Sequence, residues 1–247
     1  MLLAIDTCGA SGGVALGPVA GATDTSRETA RPDGSGNVLF RELAGRTYSE
    51  LLLSTVSELL TESGVGLDNL SAVVVVHGPG SFTGIRIGVS AAKGVAEALR
   101  IPVIAVSRLE LLARRAVGTS ALSILDAGRG EFFAGIYRAG FSGVEGLLGY
   151  AELAVAASEA GLPLLVCENR VFAVLDELGA EMIAAPTAVE ALSVGAERFR
   201  AEAFDDVATL DANYLRRSET EMLARIAEHA ALRAPSASPP DRRLPRS

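Results

Sequence analysis

The chain has 247 residues, of which 49% are hydrophobic, and its 22 Lys and Arg against 30 Asp and Glu give a formal net charge of −8. This length and composition predict a globular protein with room for two modest lobes, and they exclude a disordered chain. The acidic balance disfavours direct binding of nucleic acid as the main role.

Residue types that metal centres and disulfides need are scarce. The histidines, His77 and His229, are far apart, which excludes a histidine-rich metal centre. Cys8 and Cys167 are expected to be reduced thiols. The apolar runs are well short of the roughly 18 residues of a membrane span, and the strand-like start shows no export signal. We therefore expect a cytoplasmic protein that makes no membrane contact.

The first part of the chain is predicted to alternate strands with helices. Strands are expected at residues 1–6, 12–16, 38–43, 72–77 and 102–106. Apolar residues at helical spacing predict a helix over 48–60, and another helix is expected over Phe82–Leu99. The polar, turn-rich residues 21–36 are predicted to form a long hairpin tip.

The second part of the chain continues the alternation, which predicts the α/β class. Strands are expected at 121–126 and 131–137, and helices at 109–117, 152–159, 170–178, 189–202 and 219–232. Ser218 and Glu221 match a capping box at the start of the last helix. The Pro-, Ser- and Arg-rich end is predicted to be a disordered tail.

Two segments share one plan. AIDTCGASGGVAL, residues 4–16, and ILDAGRGEFFAGIY, residues 124–137, each read as an apolar strand ending in Asp, a small-residue turn and a returning strand. A repeat at this distance predicts two similar lobes. We expect an N-terminal lobe over 1–105 and a C-terminal lobe over 106–217. A helix over 218–232 and a tail over 233–247 are expected to follow.

Asp6 and Asp126 end the two matching strands, and two interpretations of them stay open. Carboxylates at a cleft between lobes can hold a metal or its waters, while N–H groups of the turns meet phosphate oxygens. Such a site would favour an ATP-dependent phosphotransferase or ATPase acting alone. Alternatively, each Asp caps its own turn through its side chain.

The loop HGPGSFTG, residues 77–84, connects a strand to a helix but lacks the Lys-Ser/Thr of a P-loop. A helix N-terminus can still attract a phosphate. The candidate phosphate or nucleotide contacts are Asp6, Thr7, Gly80, Ser81, Arg86 and Asp126. Otherwise, Pro79 and the glycines serve to fix a sharp turn.

Small residues recur every four positions in the helix that follows, at Gly84, Gly88, Ala92 and Ala96, and therefore share one face. Two interior glycines cost about 1 kcal/mol each relative to alanine, so another backbone is expected to approach closely. That backbone belongs either to the same chain or to another subunit. We favour a subunit interface, at which Gly88→Arg would block docking.

The segment HGPGSFTGIRIGVSAAKGVAEALRIPVIAVSRLELLA, residues 77–113, resembles the signature of the bacterial TsaB (YeaZ) family of tRNA threonylcarbamoyladenosine biosynthesis proteins, relatives of M22 glycoproteases. The two matching hairpins and NYLRR at 213–217 resemble other family elements. Tyr48 and Gly128 depart from the family pattern, which commonly has His and Arg there. Protease activity is not expected, because neither clustered metal ligands nor a Ser-His-Asp constellation is evident.

The resemblance implies a two-lobed actin-like ATPase (ASKHA/RNase H-like) architecture, with mixed sheets flanked by helices. It also implies a subunit without catalysis of its own, which binds the TsaD transferase and the TsaE ATPase. The complex modifies the adenosine beside the anticodon of certain tRNAs, so tRNA would be contacted only through the complex.

The resemblance further implies a homodimer when the chain is alone, formed by helices of the N-terminal lobe. The expected partner interface comprises Tyr48, Leu51, Leu52, Gly84, Gly88, Ala92 and Ala96. No cofactor is expected beyond weakly bound ATP or ADP at that interface, and the catalytic metal would belong to TsaD.

Overall fold

The computed structural model describes residues 1–19, 38–44, 47–116, 120–139 and 141–215. The predicted hairpin tip at 21–36, the helix at 218–232 and the tail at 233–247 lie outside the described residues. Among the residues described, no helix combines the length and the apolar character that crossing a membrane requires.

The first sheet is mixed and has the strand order β3-β2-β1-β4-β5. Its strands are β1 (Leu2–Asp6), β2 (Ser11–Gly17), β3 (Leu39–Ala44), β4 (Ala72–Val76) and β5 (Val103–Val106). β1 pairs antiparallel with β2 and parallel with β4. All residues of β1 and β4 are buried, which accounts for their unbroken apolar sequences.

Three helices cover the two faces of this sheet: α1 (Tyr48–Ser63), α2 (Phe82–Leu99) and α6 (Ala188–Arg200). α2 packs on the face that carries Ile5, and α6 packs on Val74. Val74 pairs with Ala4 and therefore points to the face opposite Ile5. The lobe boundary at 105 and 106 stays a prediction, and α6 belongs to the first core although it follows the second sheet in the chain.

The second sheet repeats the plan of the first, with the order β10-β9-β6-β7-β8. Its strands are β6 (Ala121–Gly128), β7 (Glu131–Arg138), β8 (Phe141–Gly149), β9 (Leu164–Val166) and β10 (Ala180–Met182). In both sheets a central hairpin gains an antiparallel strand on one side and two parallel strands on the other. The duplication predicted from the two hairpins is therefore confirmed at the level of topology.

The helices associated with the second sheet are α3 (Arg108–Ala113), α4 (Tyr150–Ala160) and α5 (Asn169–Leu175). The α/β class and the predicted α2 bounds are confirmed. The prediction missed β8, β9 and β10. β8 contains three glycines, which read as a loop, while β9 and β10 are too short to show an alternation of apolar and polar residues.

Candidate functional site

Each of the two matching aspartates caps its own turn. The Asp6 carboxylate accepts a 2.9 Å hydrogen bond from the backbone N–H of Cys8, and Asp126 accepts one of 2.7 Å from Gly128. In both bonds the donor is the backbone N–H two positions after the aspartate. This is the turn-capping role that the sequence analysis gave as one of two alternatives. Burial raises the pKa of Asp6, and nearby Arg108 opposes that rise.

Arg108 and Glu168 link the two aspartate turns, and sequence reasoning did not identify either residue. A Cβ atom on Gly9, in the first turn, would lie 2.9 Å from a terminal nitrogen of the buried Arg108. The Arg108 guanidinium lies 3.5 Å from the Glu168 carboxylate, whose other oxygen accepts a 2.7 Å hydrogen bond from the Asp126 N–H. A guanidinium thus lies where the two hairpins meet.

The groups around Arg108 favour its charged form. Burial alone would lower the pKa of Arg108, but Asp6, Cys167 and Glu168 together raise it. Its Nε has no hydrogen-bond partner in the structure. Within the described ranges, no group of three or more His, Cys, Asp or Glu side chains is placed to hold a metal ion.

The small-residue face of α2 packs against its own sheet. The Thr7 hydroxyl donates a 2.7 Å hydrogen bond to the Gly84 carbonyl, and it occupies the space that a Cβ atom on Gly88 would need. Ala92 and Ala96 are buried in the same core. This corrects the expectation that Gly84, Gly88, Ala92 and Ala96 face a partner. Their spacing indicates close backbone approach, and the backbone that Gly84 meets is that of Thr7, directly after β1.

Of the three α1 residues predicted at the interface, two are buried and one is exposed. Tyr48 and Leu52 are buried, and the Tyr48 hydroxyl donates a 3.1 Å hydrogen bond to the Gly9 carbonyl. Burial raises the pKa of Tyr48. Leu51 is 43% exposed. Of the seven predicted interface residues, Leu51 is therefore the one on the surface, and the expectation is corrected for Tyr48 and Leu52.

The loop before α2 is a tight turn joined to the end of β1. The Ser81 N–H donates a 2.8 Å hydrogen bond to the Cys8 carbonyl, against which Gly80 also packs. The Ser81 hydroxyl caps α2 by accepting a 3.2 Å hydrogen bond from the Gly84 N–H. Gly78 has φ = 114°, a conformation that favours glycine. The structure thus brings Asp6, Thr7, Gly80 and Ser81 together. Hydrogen bonds join the turn after β1 to the start of α2 at this place.

Arg86 and Asp126 have other contacts than that group. Arg86 points outward and its guanidinium lies over the Phe82 ring. Asp126 belongs to the second sheet and lies 3.8 Å from Arg170. The six candidate phosphate contacts therefore do not form one cluster, and nucleotide contact remains a prediction.

A polar cavity of about 310 Å³ lies between the end of β5 and the strands β7 and β8. Its centre is Glu145, whose carboxylate accepts hydrogen bonds from Ser107, Tyr137 and Asn213. His77 also lines the cavity, and burial lowers its pKa although its bond to the Asp211 carbonyl opposes this. Every carboxylate oxygen of Glu145 is thus bonded within the chain.

The outer side of α1 and α2 bears a groove of about 510 Å³. Leu53, on its rim, is 66% exposed. We call this feature the outer groove; its apolar lining comprises Leu53, Val56, Leu60, Val65, Leu67 and Val95. Sequence reasoning identified α1 as apolar on a wide face but did not separate the buried side of the helix from the exposed one.

Comparison with known proteins relates the chain to tRNA modification proteins. Residues 32–240 match the model of the family TsaD, tRNA N6-adenosine threonylcarbamoyltransferase. The protein TsaB of Escherichia coli is 37% identical over 116 residues, which are 45% of this chain and 50% of that protein. TsaB of Bacillus subtilis is 41% identical over 38% of this chain and 42% of its own length. The chain thus aligns with half or less of these curated relatives.

Solved structures agree with this relationship. A Pseudomonas aeruginosa protein with similarity to peptidase YeaZ superposes with a TM-score of 0.69 at 27% identity, covering 87% of this chain and 99% of that one. YeaZ of Pseudomonas aeruginosa superposes with a TM-score of 0.64 at 24% identity, over 85% of this chain and 98% of that one, and shows the shared fold. The expected actin-like architecture of two mixed sheets is confirmed. The chain belongs to the family of the tRNA N6-adenosine threonylcarbamoyltransferase, and within it resembles the TsaB (YeaZ) proteins.

Proposed function

We propose that this chain is a non-catalytic subunit in tRNA threonylcarbamoyladenosine biosynthesis that docks on the TsaD transferase through the outer groove. The observation that carries the proposal is the groove itself, an apolar surface between two helices with Leu53 projecting from its rim. Contiguous exposed apolar surface is typical of protein interaction sites. The partner surface is therefore the outer side of α1 and α2, opposite to the small-residue face.

The comparisons support the role of a TsaB-like subunit over that of a transferase. Matches to TsaB proteins extend over 33% to 50% of those relatives. Matches to the transferases extend over 19% to 23% of theirs. The chain thus resembles a larger share of the TsaB proteins.

The contacts between the two aspartate turns support a subunit without catalysis of its own. Asp6 and Asp126 bond to their own turns, and Arg108 brings a positive charge between them. A resident guanidinium disfavours a divalent cation at the same place through charge repulsion. We therefore assign the catalytic metal to the transferase and limit ATP or ADP to weak binding at the partner interface.

We also propose how tRNA, the TsaE ATPase and a second copy of this chain relate to the complex. A net charge of −8 favours contact with tRNA through the complex instead of by this chain alone. The TsaE ATPase would join the same complex, and a second copy of this chain would occupy the outer groove when the transferase is absent. The two free cysteines fit a cytoplasmic assembly.

The test is titration of the purified chain into a TsaD transferase, followed by calorimetry. The proposal predicts binding that Leu53→Glu weakens by at least about tenfold, since a carboxylate would be desolvated in an apolar contact. The matched control is Val174→Glu, because Val174 is 50% exposed on α5 beside the second sheet. Absence of binding, or equal loss in both variants, would contradict the proposal. ATP turnover by the chain alone with Mg²⁺ would instead favour an independent ATPase.

A further inference from the structure

Two side chains of the first turns of α2 and one from a distant part of the sequence form an exposed cluster. The guanidinium carbon of Arg86 lies 3.8 Å from the centroid of the Phe82 ring. Its Nε donates a 2.7 Å hydrogen bond to the hydroxyl of Tyr214, whose ring centroid lies 5.6 Å from that of Phe82. We call this cluster the Arg86 platform. Its rings stay open to solvent, since Phe82 is 56% and Tyr214 is 40% exposed.

The segment that precedes Tyr214 is held in place by contacts of Leu210 and Asn213. The Asn213 N–H donates a 2.8 Å hydrogen bond to the His77 carbonyl, and the Asn213 side chain donates one of 2.6 Å to Glu145. Lys93 of α2 donates a 3.0 Å hydrogen bond to the Leu210 carbonyl. Arg86 is therefore fixed by a ring and a hydroxyl that are themselves anchored. A side chain ordered in advance loses little entropy when it binds a partner.

The terminal nitrogens of Arg86 are available to such a partner. In the part of the chain that the structure describes, no carboxylate lies within 4.0 Å of Arg86, whereas Arg114 has two within that distance and Arg198 has one. The Nε bond to Tyr214 leaves the end of the guanidinium to make two parallel hydrogen bonds, and a carboxylate matches that geometry. Arginine and tyrosine are also among the residues most enriched at the energetic centres of interfaces.

We propose that the Arg86 platform binds a carboxylate side chain of the TsaD transferase. The inference rests on the proposed function, and it extends the proposed contact with the transferase from the outer groove, where α2 contributes Val95, to the other flank of α2, where Tyr214 lies. A protein carboxylate fits better than an RNA base. Arg86 already covers one face of the Phe82 ring on which a base could stack, and the chain is acidic overall.

The experiment compares Arg86→Ala and Arg86→Lys with the unmodified chain in titrations against the transferase. The matched control is Arg170→Ala, an arginine with a 91% exposed side chain beside the second sheet. Both Arg86 variants are expected to bind at least about tenfold more weakly, because lysine lacks the planar fork, while the control stays within about twofold. Thermal unfolding of each variant verifies that the fold is retained.

Three outcomes separate the possibilities. If the unmodified chain does not bind the transferase, the proposed function fails. If it binds and Arg86→Ala binds within about twofold of it, the proposed function stands and this inference is overturned. If Arg86→Ala leaves transferase binding unchanged and instead weakens binding of tRNA to the chain alone, the platform is an RNA contact and the inference is likewise overturned.

Discussion

The hydroxyl of Thr7 occupies the space that a side chain on Gly88 would need, and it donates its hydrogen bond to Gly84 one turn earlier in the same helix. This contact explains why α2 carries glycines in its interior. Each glycine lets the helix backbone approach the end of β1, and the burial of both elements offsets the conformational cost.

Gly88→Ala is therefore expected to destabilise the fold by about 1–3 kcal/mol, since the added methyl group overlaps with Thr7. Gly94→Ala in the same helix is the control. No atom lies within 4 Å of the Cβ position on Gly94, so alanine is expected to stabilise the helix there by about 0.5–1 kcal/mol. Denaturant unfolding of both variants measures these changes. Equal midpoints for the two variants would refute the packing account. Gly88→Arg should accordingly fail by unfolding the lobe before it affects docking.

The periodicity of α2 could be predicted from the sequence, but the neighbour against which its small-residue face packs could not. Spacing of four shows that Gly84, Gly88, Ala92 and Ala96 share a face. A small-residue face requires a close neighbour, and sequence alone does not tell whether that neighbour is β1 or another molecule. The hairpins were predicted because their signals are local.

The contact between the two turns could not be predicted for a related reason. Arg108 begins a short helix, and Glu168 follows a strand of three residues. Their side chains meet only because α3 packs against the second sheet. The exposed partner Tyr214 of Arg86 is likewise far away in sequence, so neither pairing leaves a signal in any one segment.

Arg108→Met is expected to destabilise the fold by about 3–5 kcal/mol, because it leaves Asp6 buried without the nearby positive charge. Adding Asp6→Asn should recover part of this loss, so that the double variant is less destabilised than the sum of the single variants. A double-mutant cycle from denaturant unfolding measures the coupling. Strict additivity would show that the two charges do not interact.

The stability of the fold is expected to fall as the pH is lowered below about 6.5, in part through His77. Burial lowers the pKa of His77 in the folded state, opposed by its bond to Asp211 and by Glu145 and Asp205, and favoured by Arg198. Between the lowered value and the unfolded value the unfolded chain binds more protons, so stability rises with pH across that window. The loss on acidification is complete below the lowered pKa.

The measurement is denaturant unfolding of the unmodified chain and of His77→Gln between about pH 5 and pH 7. The glutamine variant is expected to show a shallower dependence of unfolding free energy on pH. The same slope in both proteins would mean that His77 does not contribute to the pH dependence.

If the transferase docks on the outer groove, the exposed side of α1 must lie against it. A photoreactive amino acid is placed at position 53 on α1 and, in a separate variant, at position 174 on α5, both of which are exposed. After illumination in the presence of the transferase, we expect a covalent adduct from position 53 and none from position 174. An adduct from position 174 and none from position 53 would show that the transferase docks elsewhere.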